Sequence, residues 1–189
     1  MLHFKNVSLL VLFGLLVWSC EESATSVREP YTGPISKVTD FDATVTDSGK
    51  VKNIINSELM LELKNGDRSF PKGMVLETLN DQEKIETTLQ SDSAYFNKKK
   101  QLWVLKKNVE LHNILTGEHL FTEELYWDMK ATDSTNVYVK PETNVLIRTG
   151  TQVFKGKGLR TSQDFENYEI LNLTGAFDIE DEDYDEEEK

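Results

Sequence analysis

The feature that most restricts what this chain can fold into is the texture of residues 100–174, where short apolar and polar runs alternate and are cut by Thr-Gly and Gly-Lys pairs. Successive side chains of a strand point to opposite faces, so period-two alternation broken by turn residues describes a meander of antiparallel strands. Strands are expected over residues 86–96, 101–105, 108–115, 118–127, 136–139, 144–149, 152–159 and 168–177. Most joints between them are short, as sheets built from hairpins prefer. Upstream, residues 38–47 alternate in part, Asp47-Ser48-Gly49-Lys50 has turn composition, and residues 51–63 end on Leu59, Leu61 and Leu63 at period two. Asn65-Gly66-Asp67 is a strong turn signal, because Asn-Gly readily takes the positive φ of a tight hairpin. Phe70-Pro71-Lys72-Gly73 is a second break. No segment carries a long helical apolar period with caps; residues 57–63 and 81–89 have the composition for a single helical turn at most. The expected class is all-β.

A weak internal repeat runs through the same region. Ala94-Tyr95-Phe96-Asn97 aligns with Leu125-Tyr126-Trp127-Asp128 at a spacing of 31 residues, and Asn108-Val109-Glu110-Leu111 with Asn144-Val145-Leu146-Ile147 at 36. Thr116-Gly117-Glu118-His119-Leu120-Phe121 aligns with Thr149-Gly150-Thr151-Gln152-Val153-Phe154 at 33. Such periods suit strand-turn-strand units stacked edge to edge, whose free edges extend a sheet beyond one molecule. A meander of equal strands also produces them by chance.

Residues 1–19 are a different kind of segment. His3 and Lys5 precede an apolar run from Val7 to Trp18, interrupted by Ser8 and Gly14 and ending at Ser19-Cys20. The run falls short of the roughly 20 residues that span a bilayer as a helix, so a cleaved lipoprotein signal is expected. Cys20, the only cysteine, then becomes the first residue and the expected lipid anchor. The bulky Trp18 departs from the usual pattern before such a cysteine, and an uncleaved anchor is the alternative. A lone cysteine has no disulfide partner within the chain, so the core and the strand ladders must hold the fold. Residues 20–37 are polar, contain Pro30, Gly33 and Pro34, and suit a lipidated tether. Residues 38–177 are the expected domain.

Residues 178–189 hold nine acids against one lysine and supply −8 of the chain's net charge of −12. This run is expected to be a disordered, solubilising tail, with binding of a basic partner or divalent ions as the alternative. The remaining body is only mildly acidic, and the absence of a concentrated basic surface argues against a nucleic-acid partner.

Catalytic chemistry finds little support. His112 and His119 flank a Thr-Gly turn without the Cys or His neighbours of a zinc site, and suit strand positions at a hairpin. Glu123, Glu124 and Asp128 describe a wet acidic face. The run from Gly150 to Gly158 resembles a phosphate loop, but five residues separate Gly150 from Gly156, and Gly158 replaces the magnesium-binding Ser or Thr. Gly156 and Gly158 are better read as a bulge or a close approach of another backbone. An enzyme is not expected, and neither a metal nor a cofactor.

What remains is an apolar inventory that recurs at alternate positions: Phe96, Leu102, Val104, Val109, Leu111, Leu125, Trp127, Val145, Ile147, Phe154 and Ile170. Each strand thereby directs a row of these to one face. Two outcomes fit, a closed core between sheets or an open sandwich whose inner surface accepts acyl chains. Lysines at the turns (Lys98, Lys99, Lys100, Lys106, Lys107, Lys155, Lys157) either meet an anionic head group at the rim or keep the edges soluble.

Residues 91–96 (Ser-Asp-Ser-Ala-Tyr-Phe), 102–111 (Leu-Trp-Val-Leu-Lys-Lys-Asn-Val-Glu-Leu), 116–128 with their Leu125-Tyr126-Trp127-Asp128, 153–159 (Val-Phe-Lys-Gly-Lys-Gly-Leu) and 163–168 (Gln-Asp-Phe-Glu-Asn-Tyr) carry a resemblance. Over about 38–177 the chain resembles the LptC family of periplasmic lipopolysaccharide-transport proteins, in the lipoprotein form of Bacteroidetes-type envelopes. The resemblance implies an open, twisted β-jelly roll with an apolar interior. It also implies that lipopolysaccharide is received from an inner-membrane ABC transporter and passed toward the outer membrane through a periplasmic bridge protein of the same fold, joined by edge-to-edge strand pairing. Acyl chains would lie inside, against Phe96, Val109, Leu111, Leu125, Trp127, Val145, Ile147 and Phe154, with the sugar outside. Better-known members keep a transmembrane helix where this chain carries a lipoprotein-type signal, so the expected anchor is the lipid on Cys20, in the inner membrane. The alternative is an outer-membrane lipoprotein, a scaffold, adhesin or assembly factor without lipid transfer.

Overall fold

A computed structural model describes residues 31–131 and 135–178, so Cys20 and the tail after Asp178 lie outside the described residues. Eleven strands are present: β1 (Ser36–Asp47), β2 (Lys50–Glu62), β3 (Arg68–Phe70), β4 (Met74–Leu79), β5 (Ile85–Ser91), β6 (Ser93–Asn97), β7 (Leu102–Asn113), β8 (Glu118–Asp128), β9 (Val137–Arg148), β10 (Gln152–Thr161) and β11 (Tyr168–Asp178). All are antiparallel in one sheet that runs from β1 at one edge to β11 at the other. The all-β architecture is that of a β-jelly roll, as the resemblance implied.

The topology has one unusual property, which is that β2 and β7 are joined by two parallel routes. The far end of β2 pairs β3, which pairs β6, which pairs the first half of β7. The middle of β2 pairs β4, which pairs β5, which pairs the second half of β7. The long strands are therefore each divided into two halves that belong to different leaves of one bent sheet. The division falls along a seam. Residues 71–73 separate β3 from β4, and Asp92 separates β5 from β6. The register shifts between Lys106 and Val109 in β7, between Thr122 and Tyr126 in β8 and between Lys157 and Leu159 in β10.

Each bend has a local cause. In β7, Lys107 and Asn108 take positive φ of 64° and 47°, so two residues of β7 oppose one of β8, a bulge that sharpens the bend. Asn108 Nδ2 donates to Asp92 Oδ2 at 2.7 Å, and Asp92 N donates to Lys107 O at 3.0 Å, pinning the two bends together. In β10 the cause is close packing. A Cβ on Gly158, whose φ is +69°, would lie 2.7 Å from Pro141 Cα, and one on Gly156 would lie 2.7 Å from Asn172 O. The expectation of a bulge and close backbone approach at these glycines holds at both.

Several boundaries differ from those the pattern suggests. Residues 101–105 and 108–115 join as β7, and 136–139 and 144–149 join as β9, because each pair is one strand carried across the seam. Residues 86–96 divide at Asp92 for the same reason. Residues 57–63, despite their composition for a helical turn, close β2 and start the turn after it, and 81–89 lead into β5. The turns at 47–50, 65–67 and 70–73 stand as expected. In the 65–67 turn the buried Asp67 accepts hydrogen bonds from the Tyr95 hydroxyl, Lys98 N and Asn65 Nδ2.

The repeat has a structural basis in the register. Ala94 and Leu125 flank Leu105, and Phe96 and Trp127 flank Trp103, so the first pair of tetrads occupies both sides of β7. Leu111 and Ile147 likewise flank Leu120 across β8. The third pair is out of step by one. Phe121 pairs Leu146, which pairs Lys155, whereas Phe154 pairs Ile147 on the opposite face.

Glycine at the seam can be separated from glycine in a turn. Gly49→Ala adds only left-handed strain, with nothing within 4 Å of the new Cβ, and should cost about 1–2 kcal/mol. Gly158→Ala adds a backbone clash to the same strain and should cost about 2–5 kcal/mol in chemical denaturation. Equal losses at the two sites would mean that close approach at the seam contributes nothing.

Candidate functional site

The inner faces of the leaves meet in one apolar core. Phe70, Trp103, Leu105, Leu125 and Leu159 come from the first leaf, and Leu76, Leu89, Leu111, Leu120 and Ile147 from the second. Leu105, Leu120, Leu125, Ile147 and Leu159 have no accessible surface. At the wide end Phe96 packs on Trp103 with ring centroids 4.9 Å apart, and Trp103 on Phe70 at 5.5 Å.

All eight side chains anticipated for a lipid groove stand on this inner surface. Val109, Leu111, Leu125, Trp127, Val145 and Ile147 belong to the core, and Phe96 and Phe154 are half-buried against it. Leu102 and Val104, expected on the same face, are turned away, and their neighbours Trp103 and Leu105 are buried instead. The inward places of Leu120 and Leu159 escape the sequence pattern because parity changes at the seam in β8 and β10; β7 and β9 keep one parity across it, and Phe165 lies in a loop. In β8 alternate buried positions run Leu120 and Thr122, then Leu125 and Trp127, with Tyr126 buried outside the core; in β10 they run Gly156, then Leu159 and Thr161, with Gly158 buried at the register shift.

A void of about 10 Å³ remains near the open end, walled by Leu76, Leu89, Leu111 and Val137 with Thr78, Thr87, Trp127 and Gln163. Trp127 Nε1 is the one buried side-chain nitrogen or oxygen among the described residues without a hydrogen-bond partner.

Opposite the seam lies the mouth, crossed by the loop of residues 162–167 that joins β10 to β11. Phe165 in this loop has no accessible surface and stacks on Tyr168 at 5.0 Å. Asn113 Nδ2, on the second leaf, donates to Asp164 O at 2.9 Å. Gln163 Nε2 lies 3.4 Å from Asn53 Oδ1 and 3.4 Å from Thr78 Oγ1, and the Tyr168 hydroxyl 3.5 Å from Glu118 Oε1. These contacts are long or single, in contrast to the continuous ladders that cross the seam.

Outside, two open depressions of about 720 and 640 Å³ follow the seam and share Gln90 and Asn108. Their linings mix acids and Lys72 or Lys155 with apolar residues, among them Phe41 and Val75 in the first and Phe121 and Leu146 in the second. The turn lysines are dispersed. Lys107 and Lys157 lie at the seam, Lys106 pairs with Glu124 at 3.1 Å, and Lys98, Lys99 and Lys100 stand at the tip of the first leaf. On the outer face of β7 and β8 the His112 and His119 rings stack at 3.8 Å, and His119 Nδ1 is 2.7 Å from Glu110 Oε1. Among the described residues no group of three or more His, Cys, Asp or Glu is placed to hold a metal.

Both ends of the sheet are unpaired: β1 has β2 alone as neighbour, and β11 has β10. β11 carries no charge from Ile170 to Phe177, and Leu173 and Phe177 are each 56% exposed. Long unprotected edges are rare in proteins that remain alone, because they invite pairing with another strand.

Residues 7–176 match a family model described as lipopolysaccharide-assembly, LptC-related. No curated protein matches the chain.

The histidine stack should leave a mark on stability. Burial first, then the charge of His119, holds the His112 imidazole below its usual value, with Glu110 opposing. The unfolded chain therefore binds this proton more tightly. The stabilisation is complete above about pH 6.5 and is lost as pH falls through the folded value. Between pH 7 and 5 the Tm of His112→Gln should fall less than that of the parent, by about 2 °C. Equal falls would assign the acid sensitivity to other groups.

Proposed function

Because this chain belongs to the LptC-related family of lipopolysaccharide-assembly proteins, we propose that it receives lipopolysaccharide from an inner-membrane ABC transporter and passes it to a periplasmic bridge protein of the same fold. Acyl chains lie between the leaves, and the sugar stays in water. The observation that carries this reading is the inner surface itself, a continuous apolar face bounded by two free strand edges rather than closed into a barrel. Moving each methylene from water into apolar surroundings gains about 0.8 kcal/mol, so an acyl chain crossing an aqueous compartment needs a covered path. A bent sheet whose leaves can part at one side provides one. Chains entering there replace leaf-to-leaf contacts with leaf-to-lipid contacts of similar energy, which keeps uptake and release near balance.

The edges supply the continuity. A strand of the next module added to β11 or β1 would extend both leaves at once, because each edge strand spans the seam, and the inner faces would then join end to end. Main-chain hydrogen bonds give such docking its strength, and the uncharged run of β11 gives it an apolar seat. The proposal places the anchor at Cys20, in the inner membrane, with residues 20–37 as the tether that lets the domain reach its partners.

In-cell photocrosslinking from Phe154, with Lys155 as its opposite-facing neighbour, tests the groove. The expected result is a lipopolysaccharide adduct from Phe154 that depends on ATP, and none from Lys155. If neither position yields an adduct while the protein is folded and abundant, the interior is a closed core, and a scaffold or adhesin role takes the place of transport.

A further inference from the structure

We infer that the outside of the seam is a binding trough for a neutral polysaccharide strand, which lies across the sheet from one free edge to the other. This site is separate from the lipid groove: it lies on the opposite surface of the sheet from the core, and a closed core would leave it unchanged.

The two depressions of about 720 and 640 Å³ share Gln90 and Asn108, and so form one continuous channel. Its wall begins at Asp40 and Asp42 on β1, passes Glu58 on β2, Gln90 on β5 and Asn108 on β7, and ends at Thr174 on β11. Nine of the eleven strands contribute, all but β3 and β6. Neighbouring strands lie about 4.8 Å apart, so eight spacings give the trough a length of about 40 Å. Both of its ends reach an unpaired strand, β1 or β11. Small ligands are mostly enclosed by their pockets. A long trough open at both ends suits a polymer that runs on past the domain.

The walls select among polymers. Asp40, Asp42, Glu58, Asp92, Glu110 and Glu123 stand against Lys72 and Lys155, and Lys72 is paired with Glu58. This excess of carboxylates repels chains that carry phosphate or carboxylate, nucleic acid among them. A peptide finds no ladder to join, because the trough runs across interior strands whose main-chain groups are already paired, and strand addition needs an edge. A docking helix needs an unbroken apolar seat, whereas Val75 stands far from the adjacent pair Phe121 and Leu146. Hydroxyls fit better. They both donate and accept, as do the amides of Asn56, Gln90, Asn108 and Asn144, and the carboxylates accept. The half-buried Phe121 ring, stacked on His119 at 5.8 Å and beside Leu146 in register, seats the C–H face of one sugar ring. The sugar of a lipid held between the leaves would emerge at the mouth, across the molecule from the seam. The trough therefore takes a different glycan, one that the domain meets in its compartment.

Calorimetry on the full chain tests this, with chitohexaose and maltohexaose as neutral hexamers and chitobiose and maltose as their dimers. The phosphorylated polysaccharide released from lipopolysaccharide serves as the anionic chain, and hexalysine as the basic peptide. At least one neutral hexamer should bind, about tenfold more tightly than its dimer, since further units along the trough add further hydrogen bonds. Its affinity should not change with salt, because no charge is paired. Phe121→Ala and Asn144→Ala should each weaken the hexamer about fivefold. The Asn144 side chain is exposed, so this variant decides if Phe121→Ala does not fold. Failure of both neutral hexamers to bind a chain folded by circular dichroism overturns the proposal, as does a hexamer that binds no better than its dimer or that ignores both substitutions. Displacement of the hexamer by the released polysaccharide would assign the trough to the sugar of the transported lipid. Tighter, salt-sensitive binding of hexalysine would assign it to a basic peptide, and either result overturns the neutral glycan.

Discussion

The seam is the constraint on which the rest of the molecule depends. An antiparallel sheet of long strands with one apolar face has to cover that face, and two sheets joined by loops would be the ordinary solution. Here the same strands supply both halves, because bends at Asp92, at Lys107 and Asn108, and at Gly156 and Gly158 fall in line across the ladder. The contact of Asn108 with Asp92 and the approach of Gly158 to Pro141 keep neighbouring bends in step. A bend in one strand alone would break its ladder; bends in register let the ladders continue on both sides.

Two asymmetries follow. The seam side is closed by backbone hydrogen bonding, while the mouth side is held by apolar contact and a few side-chain bonds from the loop of residues 162–167. Separation of the leaves is therefore easiest at the mouth, near the small void that Thr87, Trp127 and Gln163 line. The second asymmetry is between the sheet's interior and its two edges. The interior strands have both ladders satisfied, but β1 and β11 each leave one open. The proposed transfer of lipopolysaccharide between like modules would use both, the more lightly held side of the core and the open edges.

Much of this is legible in the residues. The alternation over residues 100–174, the turns at 47–50 and 65–67, and the glycines at 156 and 158 each carry a local signal that tertiary structure does not override. The inward face is legible too at Val109, Leu111, Val145 and Ile147, which lie in strands that keep one parity across the seam, and at Leu125, which with Trp127 keeps one parity within its half of β8. The departures arise from bulges, from hairpin offset and, for one residue, from a loop. Leu102 and Val104 look inward-facing in the pattern, and Trp103 and Leu105 do not, because Trp103 to Leu111 keep one parity only when the two bulge residues Lys107 and Asn108 are counted in the strand. Phe121 and Phe154 look equivalent in the repeat and face opposite ways, because their hairpins are offset by one residue, and a one-residue offset exchanges faces. Phe165 carries no local signal at all; it lies in a polar loop, and its burial depends on the opposite leaf.

By itself the sequence determined the class of fold, the approximate place of most strands though not of β3 and β4, and the apolar character of one face, since each of these follows from the local alternation of side chains and from turn chemistry. It determined as well that no disulfide forms within the chain and that a family of lipopolysaccharide-assembly proteins is its kin. Only the tertiary structure decided which strands are split between two leaves, which parity faces inward on each side of the seam, and that Phe165 of the 162–167 loop is fully buried. Those are matters of register between segments distant in the chain. Register is set by how bulges and close backbone contacts in neighbouring strands line up, and the residues of a single strand do not contain that information.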